Sequence, residues 1–182
     1  MRRTPADYAR YIMSRHPVFL DTETTGLAEH DEIVNIAIID HTGRVLLDTL
    51  VKPTIAISSG ATQIHGIDNE RVADAPTFAT IKQRVVELTT EKDVVIYNAK
   101  FDCRMIHQSG GTLPVDSSRL HCAMLLYAEF FGQWNGYRKS YRWQTLDDAM
   151  RQQELPGVET PLHSAIGDCL RTLAIVQHMA RG

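Results

Sequence analysis

The sequence runs to 182 residues, with 43% hydrophobic and 23% charged residues and a formal net charge of −3. A chain of this make-up can bury a substantial core and does not have the composition of a disordered one. The mildly acidic balance excludes coating of nucleic acid by bulk positive charge, but it leaves room for an acidic site with local basic contacts. No apolar run approaches the ~20 residues that cross a bilayer. The opening MRRTPADYARYIMSRH lacks the apolar stretch of a secretory signal, so no membrane association and a cytoplasmic location are expected. Cys103, Cys122 and Cys169 are odd in number and widely spaced, which argues against a disulfide framework and for core packing. His121-Cys122 has no second Cys/His pair at a zinc-binding spacing.

Taken in chain order, Thr4-Pro5 predicts an N-cap and N1 proline opening a short helix to about Ser14. Pro17 separates it from a strand at Val18–Thr22. EIVNIAIID, Glu32 to Asp40, is dense in β-branched residues and predicts a strand buried on both faces. His41-Thr42-Gly43 is a turn, after which RVLLDTLVKP returns as a hairpin partner ended by Pro53. Ala75-Pro76 is expected to open a helix with Phe78, Ile81, Val85 and Leu88 on one face. DVVIYN, Asp93 to Asn98, predicts a short buried strand. A helix then runs from near Asn98 to Gly110-Gly111, which suits a C-cap. Further helices are expected over Cys122–Phe131, from a Thr145 cap through Met150, and from a Ser164 cap along Ile166, Cys169, Leu170, Leu173 and Val176. GQWNGYRKSYRW, Gly132 to Trp143, reads as a long loop. Hairpin strands followed by alternating helices and strands argue for an α/β fold, a mixed sheet with helices on its faces. Functional sites in such folds gather at the carboxyl ends of strands.

One such end is VFLDTETTGL, Val18 to Leu27. Side chains two apart on a strand share a face, about 6.5–7 Å apart along the backbone. Asp21 and Glu23 can therefore converge beyond the strand's end. Two carboxylates held together repel unless a cation sits between them, and oxygen-rich clusters suit Mg²⁺ or Mn²⁺. Taken alone, the pair reads more readily as a solvated strand end, because such pairs are common. In YNAKFDCRM, with Asn98 as N-cap, Asp102 falls one turn into a helix. In PLHSAIGDCLRTL, with Ser164 as N-cap, Asp168 does the same. Helix-dipole stabilisation, worth some tenths of a kcal/mol, accounts for either aspartate singly. His163 lies just outside the helix on its approach, where an imidazole titrating near ~6.5 suits a general base.

DTETTG, then NAKFD, then HSAIGD, in this order, resemble the three motifs of the DnaQ-like DEDDh 3′–5′ exonucleases, of the proofreading-subunit or exonuclease X type. The resemblance covers Pro17 to Ala180. It includes the histidine five before the last aspartate and the helper segment GATQIHGI, Gly60 to Ile67. It implies an RNase H-like mixed five-stranded sheet flanked by helices. It also implies one domain over residues 1–182, with 1–16 a helical extension and 17–180 the catalytic core. Asp21, Glu23, Asp102 and Asp168 would hold two divalent ions, Mg²⁺ or Mn²⁺, and His163 would take the proton from the attacking water. Nucleoside 5′-monophosphates would leave the 3′ end of DNA. Thr22, Thr24, Gly26, Leu27, His65, Ile67, Asn98 and Phe101 would contact the terminal nucleotides, with Gly26 permitting an unusual φ and a close backbone approach.

The expected partner is single-stranded or frayed DNA, with a DNA polymerase or repair complex as a further one. Stand-alone action is expected, since no C-terminal tether follows the core. The alternatives are an RNA-trimming exoribonuclease or oligoribonuclease, and a non-catalytic nucleic-acid- or polymerase-binding module. Many relatives carry a DT pair after the second-motif helix where this chain reads RLHCAM, Arg119 to Met124, and Asp116 is assigned no role. The segment Tyr137 to Trp143 interleaves Arg138, Lys139 and Arg142 with aromatics, a composition suited to phosphate contact and base stacking. Its other reading is a solvated loop with aromatics tucked into the core.

Overall fold

The computed structural model describes residues 3–157 and 163–182. Met1, Arg2 and the Pro161-Leu162 start of the third motif lie outside the described residues. Helix α1 (Pro5–Ser14) is capped by the Thr4 hydroxyl, which accepts from the Asp7 amide. Strands β1 (Val18–Thr24), β2 (Ile33–Asp40) and β3 (Val45–Leu50) follow. Asp40 holds the turn between β2 and β3 by accepting from Thr42 and Arg44, and these hydrogen bonds outweigh the opposing effect of its burial and bring its carboxyl down to about 2.

Helix α2 (Ser59–His65) and helix α3 (Phe78–Thr89) precede β4 (Val94–Ile96). Helix α4 (Ala99–Gln108) leads on to β5 (Leu120–Cys122) and α5 (Ala123–Phe131). A small hairpin, β6 (Trp134–Asn135) and β7 (Ser140–Tyr141), is followed by α6 (Leu146–Gln152) and the long α7 (Ala165–Arg181).

The main sheet has five strands in the order β3-β2-β1-β4-β5. β1, β2 and β3 pair antiparallel, while β4 and β5 run parallel to β1. This is the expected mixed α/β sheet. Alternation along β1 sends Phe19 toward α1, α5 and α7, and Val18 and Leu20 toward α3 and α4. β2 is buried on both faces, with Ile36, Ala37, Ile38 and Ile39 all at 0% exposure, so each bulky side chain contributes roughly 1.5–3 kcal/mol of burial. A third cluster, with Val34, Ile57, Ala61, Ile67 and Val72, seats α2 beside the end of β1.

Three expectations change. Helix α3 begins at Phe78 rather than at Ala75-Pro76, because the chain there is still extended: the Pro76 carbonyl accepts from the Lys52 amide and Thr77 bridges to Lys52. Cys122 closes strand β5 and the helix starts one residue later. The loop Gly132 to Trp143 contains the β6–β7 hairpin, its aromatics outside the core. At the end of α4 the expected glycines do terminate the helix. Gly110 takes φ 85°, its amide donates to His107 and the Gly111 amide donates to Ile106.

Candidate active site

Asp21 faces Ala37 across the β1–β2 pair and Glu23 faces Asn35, with an irregularity between Glu23 and Thr24 that bends the strand's end. Asp21 and Glu23 continue the Phe19 side of β1, the side covered by α7. The buried face of α7 opens with small residues, Ala165, Gly167 and Cys169. The helix therefore lies close enough on β1 and β2 for the Cys169 sulfur to sit 3.6 Å from the Phe19 and Ala37 carbonyl oxygens. That approach carries Asp168 to the strand. One carboxylate oxygen from each of Asp21, Glu23 and Asp168 lies within 4.8 Å of the others. Thr22 points to the opposite side of β1, where its hydroxyl donates to the Asp102 carboxylate at 2.8 Å. Asp102 is 3% exposed in the first turn of α4 and stands beside the trio rather than in it.

Burial, followed by the charges of Asp102, Asp168 and Glu23, raises the Asp21 carboxyl well above the ordinary range. Burial and the Asp168 and Asp102 charges push Glu23 up to about 8. Burial also brings Asp102 up to about 7 against the Thr22 hydrogen bond, and raises Asp168 against Arg171 and His163. Arg171, 5% exposed, forms an ion pair with Asp168 one turn further along α7. One arginine leaves four carboxyl groups under-compensated. An all-oxygen anionic donor set of this kind suits a hard divalent cation, so the residues present fit one.

His163 is half-buried and immediately precedes the Ser164 cap, in the left-handed region at φ 53°. Non-glycine residues rarely hold that conformation, and it is concentrated at functional sites. The imidazole is near enough to Asp168 and to His65 for its charge to bear on both.

Thr24 is buried, its hydroxyl donating to the Gly26 carbonyl. Gly26 does not adopt a left-handed φ as expected; a Cβ there would lie 2.6 Å from an Asp31 carboxylate oxygen. Glycine is required by that close approach. Asp31 in turn accepts from the Thr25 hydroxyl and the Ala28 amide, and Arg104 and Gln108 of α4 donate to the Leu27 and Ala28 carbonyls. The pinned loop presents Leu27 at 75% exposure. His65 accepts from the Ile67 amide at Nδ1, so its Nε2 donates to the Thr24 carbonyl at 3.1 Å. Burial lowers its pKa, and it braces α2 against the end of β1. Ile67 is packed inside the third core cluster, 4% exposed. Asn98 is exposed and caps α4 without a side-chain hydrogen bond, and Phe101, part-buried, lies 5.4 Å under the Arg104 guanidinium. Sequence reasoning missed Arg171, Asp31 and Arg104. Of these, only Arg171 left a signal, its spacing of three from Asp168 on a helix.

The family model described as "Exonuclease", of RNase T type, matches residues 18–176. An uncharacterized exonuclease, CP81, of Escherichia phage 186 is 43% identical over 173 residues, covering 91% of this chain and 88% of that one. The DNA polymerase III subunit epsilon of Rickettsia felis is 33% identical over 102 residues, 53% of this chain; the aligned part is 44% of that subunit. Among solved structures, exonuclease X in complex with 5′ overhanging duplex DNA superposes with a TM-score of 0.70 at 27% identity, covering 90% of each chain. The nuclease domain of 3′hExo, a DEDDh family member bound to rAMP, shares the fold with a TM-score of 0.67 at 18% identity, over 92% of this chain and 93% of that one. With its acidic cluster at the carboxyl end of β1 and His163 five before Asp168, the chain belongs to the DnaQ-like DEDDh 3′–5′ exonucleases of the RNase T exonuclease family.

Proposed function

We propose that this enzyme removes nucleoside 5′-monophosphates from the 3′ ends of single-stranded or frayed DNA, using two Mg²⁺ or Mn²⁺ ions and His163 as general base. The observation that carries the reading is the convergence of Asp21, Glu23 and Asp168 on one point, with Asp102 adjoining and His163 beside them. When bound, the ions would supply positive charge to the attacking and leaving oxygens of an in-line displacement. Asp21, Glu23 and Asp168 would hold the first ion, and Asp21 and Asp102 the second. His163 accepts the proton of the attacking water through an imidazole nitrogen. The water oxygen forms a bond to phosphorus, the bond to the 3′ oxygen of the shortened strand breaks, and that oxygen takes up a proton.

The backbone from Thr22 to Gly26 and the Asn98 cap are assigned to the terminal nucleotide, with the Thr22 and Thr24 side chains buried and already hydrogen-bonded, and Leu27, His65 and Phe101 are assigned to the flank of its base. Ile67 acts through the core under α2. A DNA substrate is supported by the named activity of the polymerase relatives and by the DNA complex of exonuclease X. Stand-alone action is supported by the near full-length match to an exonuclease of phage 186, with a polymerase or repair partner the second arrangement. No helix of the described residues is long and apolar enough to cross a membrane, in keeping with work on nucleic acid in the cytoplasm.

The test is digestion of 5′-labelled single-stranded DNA and RNA of one sequence, side by side, with Mg²⁺ and with EDTA. A metal-dependent ladder shortening from the 3′ end, faster on DNA, is expected. Faster loss of RNA would place the enzyme among RNA-trimming exonucleases. No digestion with either Mg²⁺ or Mn²⁺ would leave a nucleic-acid-binding module.

A further inference from the structure

The segment from Gln133 to Gln144 presents four large aromatics to solvent: Trp134 at 57%, Tyr137 at 97%, Tyr141 at 39% and Trp143 at 57% exposure. Trp134 and Tyr141 pair edge-to-face across the hairpin, ring centroids 5.2 Å apart, and stiffen it. Tyr137 and Trp143 have no such ring partner among the described residues. Arg138, Lys139 and Arg142 stand between them, and none has a carboxylate within ion-pairing distance among the described residues. A groove of about 420 Å³ runs along the hairpin's root, lined by Arg138, Tyr141, Arg142 and Trp143. Asp148, the acid lining the same groove, is neutralised by Arg151. Three cations without a carboxylate partner among the described residues, interleaved with open aromatic faces on a chain of net charge −3, form a local surface that fits an anionic, base-bearing strand.

The hairpin is also tied to the acid cleft. The Tyr97 hydroxyl, next to the start of the Asn98–Asp102 motif, donates to the Gln144 and Thr145 carbonyls at 3.0 and 3.1 Å. Gln144 is further held by Gln133 and Gln152. From this root two paired residues on each strand carry the tip outward by about 7 Å, at about 3.3 Å per strand residue. A strand whose 3′ end lies at Asp21 must leave the cleft, and the hairpin is rooted on Tyr97, beside the motif that carries Asp102.

We propose that the β6–β7 hairpin is a second nucleic-acid contact that grips the single strand on the 5′ side of the scissile end, with Tyr137 and Trp143 stacking on bases and Arg138, Lys139 and Arg142 meeting phosphates. This rests on the exonuclease reading of the cleft and adds a grip outside it. The chain contains two tryptophans, Trp134 and Trp143, and both are on the hairpin, so tryptophan emission reports this surface alone.

The full chain is titrated in EDTA with an oligothymidylate of about 12 nucleotides, within the site sizes of single-strand binders, and separately with thymidine monophosphate. EDTA stops turnover and removes any metal-held contact in the cleft. Saturable quenching by the strand, at concentrations at least about tenfold below those needed with the mononucleotide, is expected. The combined Arg138→Gln, Lys139→Gln, Arg142→Gln variant should weaken strand binding and flatten the slope of log K against log salt by about 2, at ~0.7 per lost phosphate contact. In Mg²⁺ it should raise KM for the strand about tenfold with a change in kcat below about threefold. Tyr137→Ala, at an open hairpin tip, provides a second variant that threatens no core packing and should weaken binding about tenfold. Unaltered emission with a strand that the enzyme digests, or an unaltered affinity and salt slope in the triple variant, would overturn the hairpin's role. Digestion without quenching removes the hairpin and leaves the exonuclease reading; quenching without digestion does the reverse.

Discussion

Asp93 and Asp102 flank the same short strand, β4, and each is 3% exposed, yet the chain treats them in opposite ways. At the amino end, Asp93 accepts from the Arg15 guanidinium at 3.2 Å and from His121 Nε2 at 2.8 Å. His121 Nδ1 is engaged in turn by the Tyr8 hydroxyl at 3.1 Å. At the carboxyl end, the one side-chain hydrogen bond that Asp102 accepts among the described residues comes from Thr22. Its neighbours are three more carboxylates, and its own carboxyl is pushed to about 7 by burial. The amino end shows that this chain neutralises a buried acid when the acid only holds the fold. The carboxyl end is left short of positive charge, which is what a site for external cations requires.

The contrast can be broken from either side. The largest effect is expected at Asp21, whose exchange to Asn keeps the shape and removes the central charge. Turnover should fall at least about 10³-fold, as for loss of a metal-held transition state, while the folded protein in EDTA becomes no less stable. Circular dichroism melts and strand digestion measure both, and retention of more than a few per cent of the activity would remove Asp21 from the chemistry. His163→Ala should slow the reaction roughly 10²–10⁴-fold and change its pH profile between about 6 and 8. A normal rate with the same profile would mean that another group takes the proton.

At the other end, Asp93→Ala should lower stability by about 3 kcal/mol, the low end for breaking a buried pair, since Arg15 at 48% exposure can turn to water while His121 cannot. Activity per folded molecule should be kept. Urea unfolding reads the first quantity and active-site-normalised rates the second; a stable, inactive variant would reverse the roles assigned to the two ends.

A further effect is one of pH. Glu23 and Asp102 have raised folded values of about 8 and about 7 against 4.5 and 3.8, so the folded state holds more protons than the unfolded one over that span. Metal-free stability is therefore favoured below about pH 4 and is lost progressively as pH rises toward 8. Mg²⁺ should restore more of the thermal midpoint at pH 8 than at pH 5, because at the lower pH it must displace protons. A midpoint in EDTA that climbs steadily from pH 5 to 8, with no added gain from Mg²⁺ at the top, would contradict the uncompensated cluster.

Much of this was legible in the chain. The alternation around Asp21 and Glu23 placed that pair at a strand's end, and the caps at Asn98 and Ser164 placed Asp102 and Asp168 in the first turns of two helices, because those signals are local. β5 was not legible: three residues, Leu120–Cys122, run straight into an apolar helix and carry no period of their own. Helix α2 is seven residues long and depends on His65 bridging to Thr24, a contact between distant parts of the chain. Gly26 was read as conformational freedom, whereas the structure needs it for the Asp31 carboxylate, which no turn rule reveals. Arg171 was visible in spacing but overlooked, since it falls in a helix read for its apolar stripe. The hairpin strands are two residues each, below any pattern, and only the structure shows their aromatics standing in solvent.

The carboxyl end of the sheet is short of positive charge, and divalent cations are proposed to fill that deficit. A titration of the nucleic-acid-free protein with Mn²⁺, following free Mn²⁺ by electron paramagnetic resonance at pH 8, tests it most directly, with the Asp21→Asn variant alongside. Saturable uptake by the native protein that is lost or greatly weakened in the variant is the predicted result. Equal uptake by the two proteins, or none by either, would contradict it.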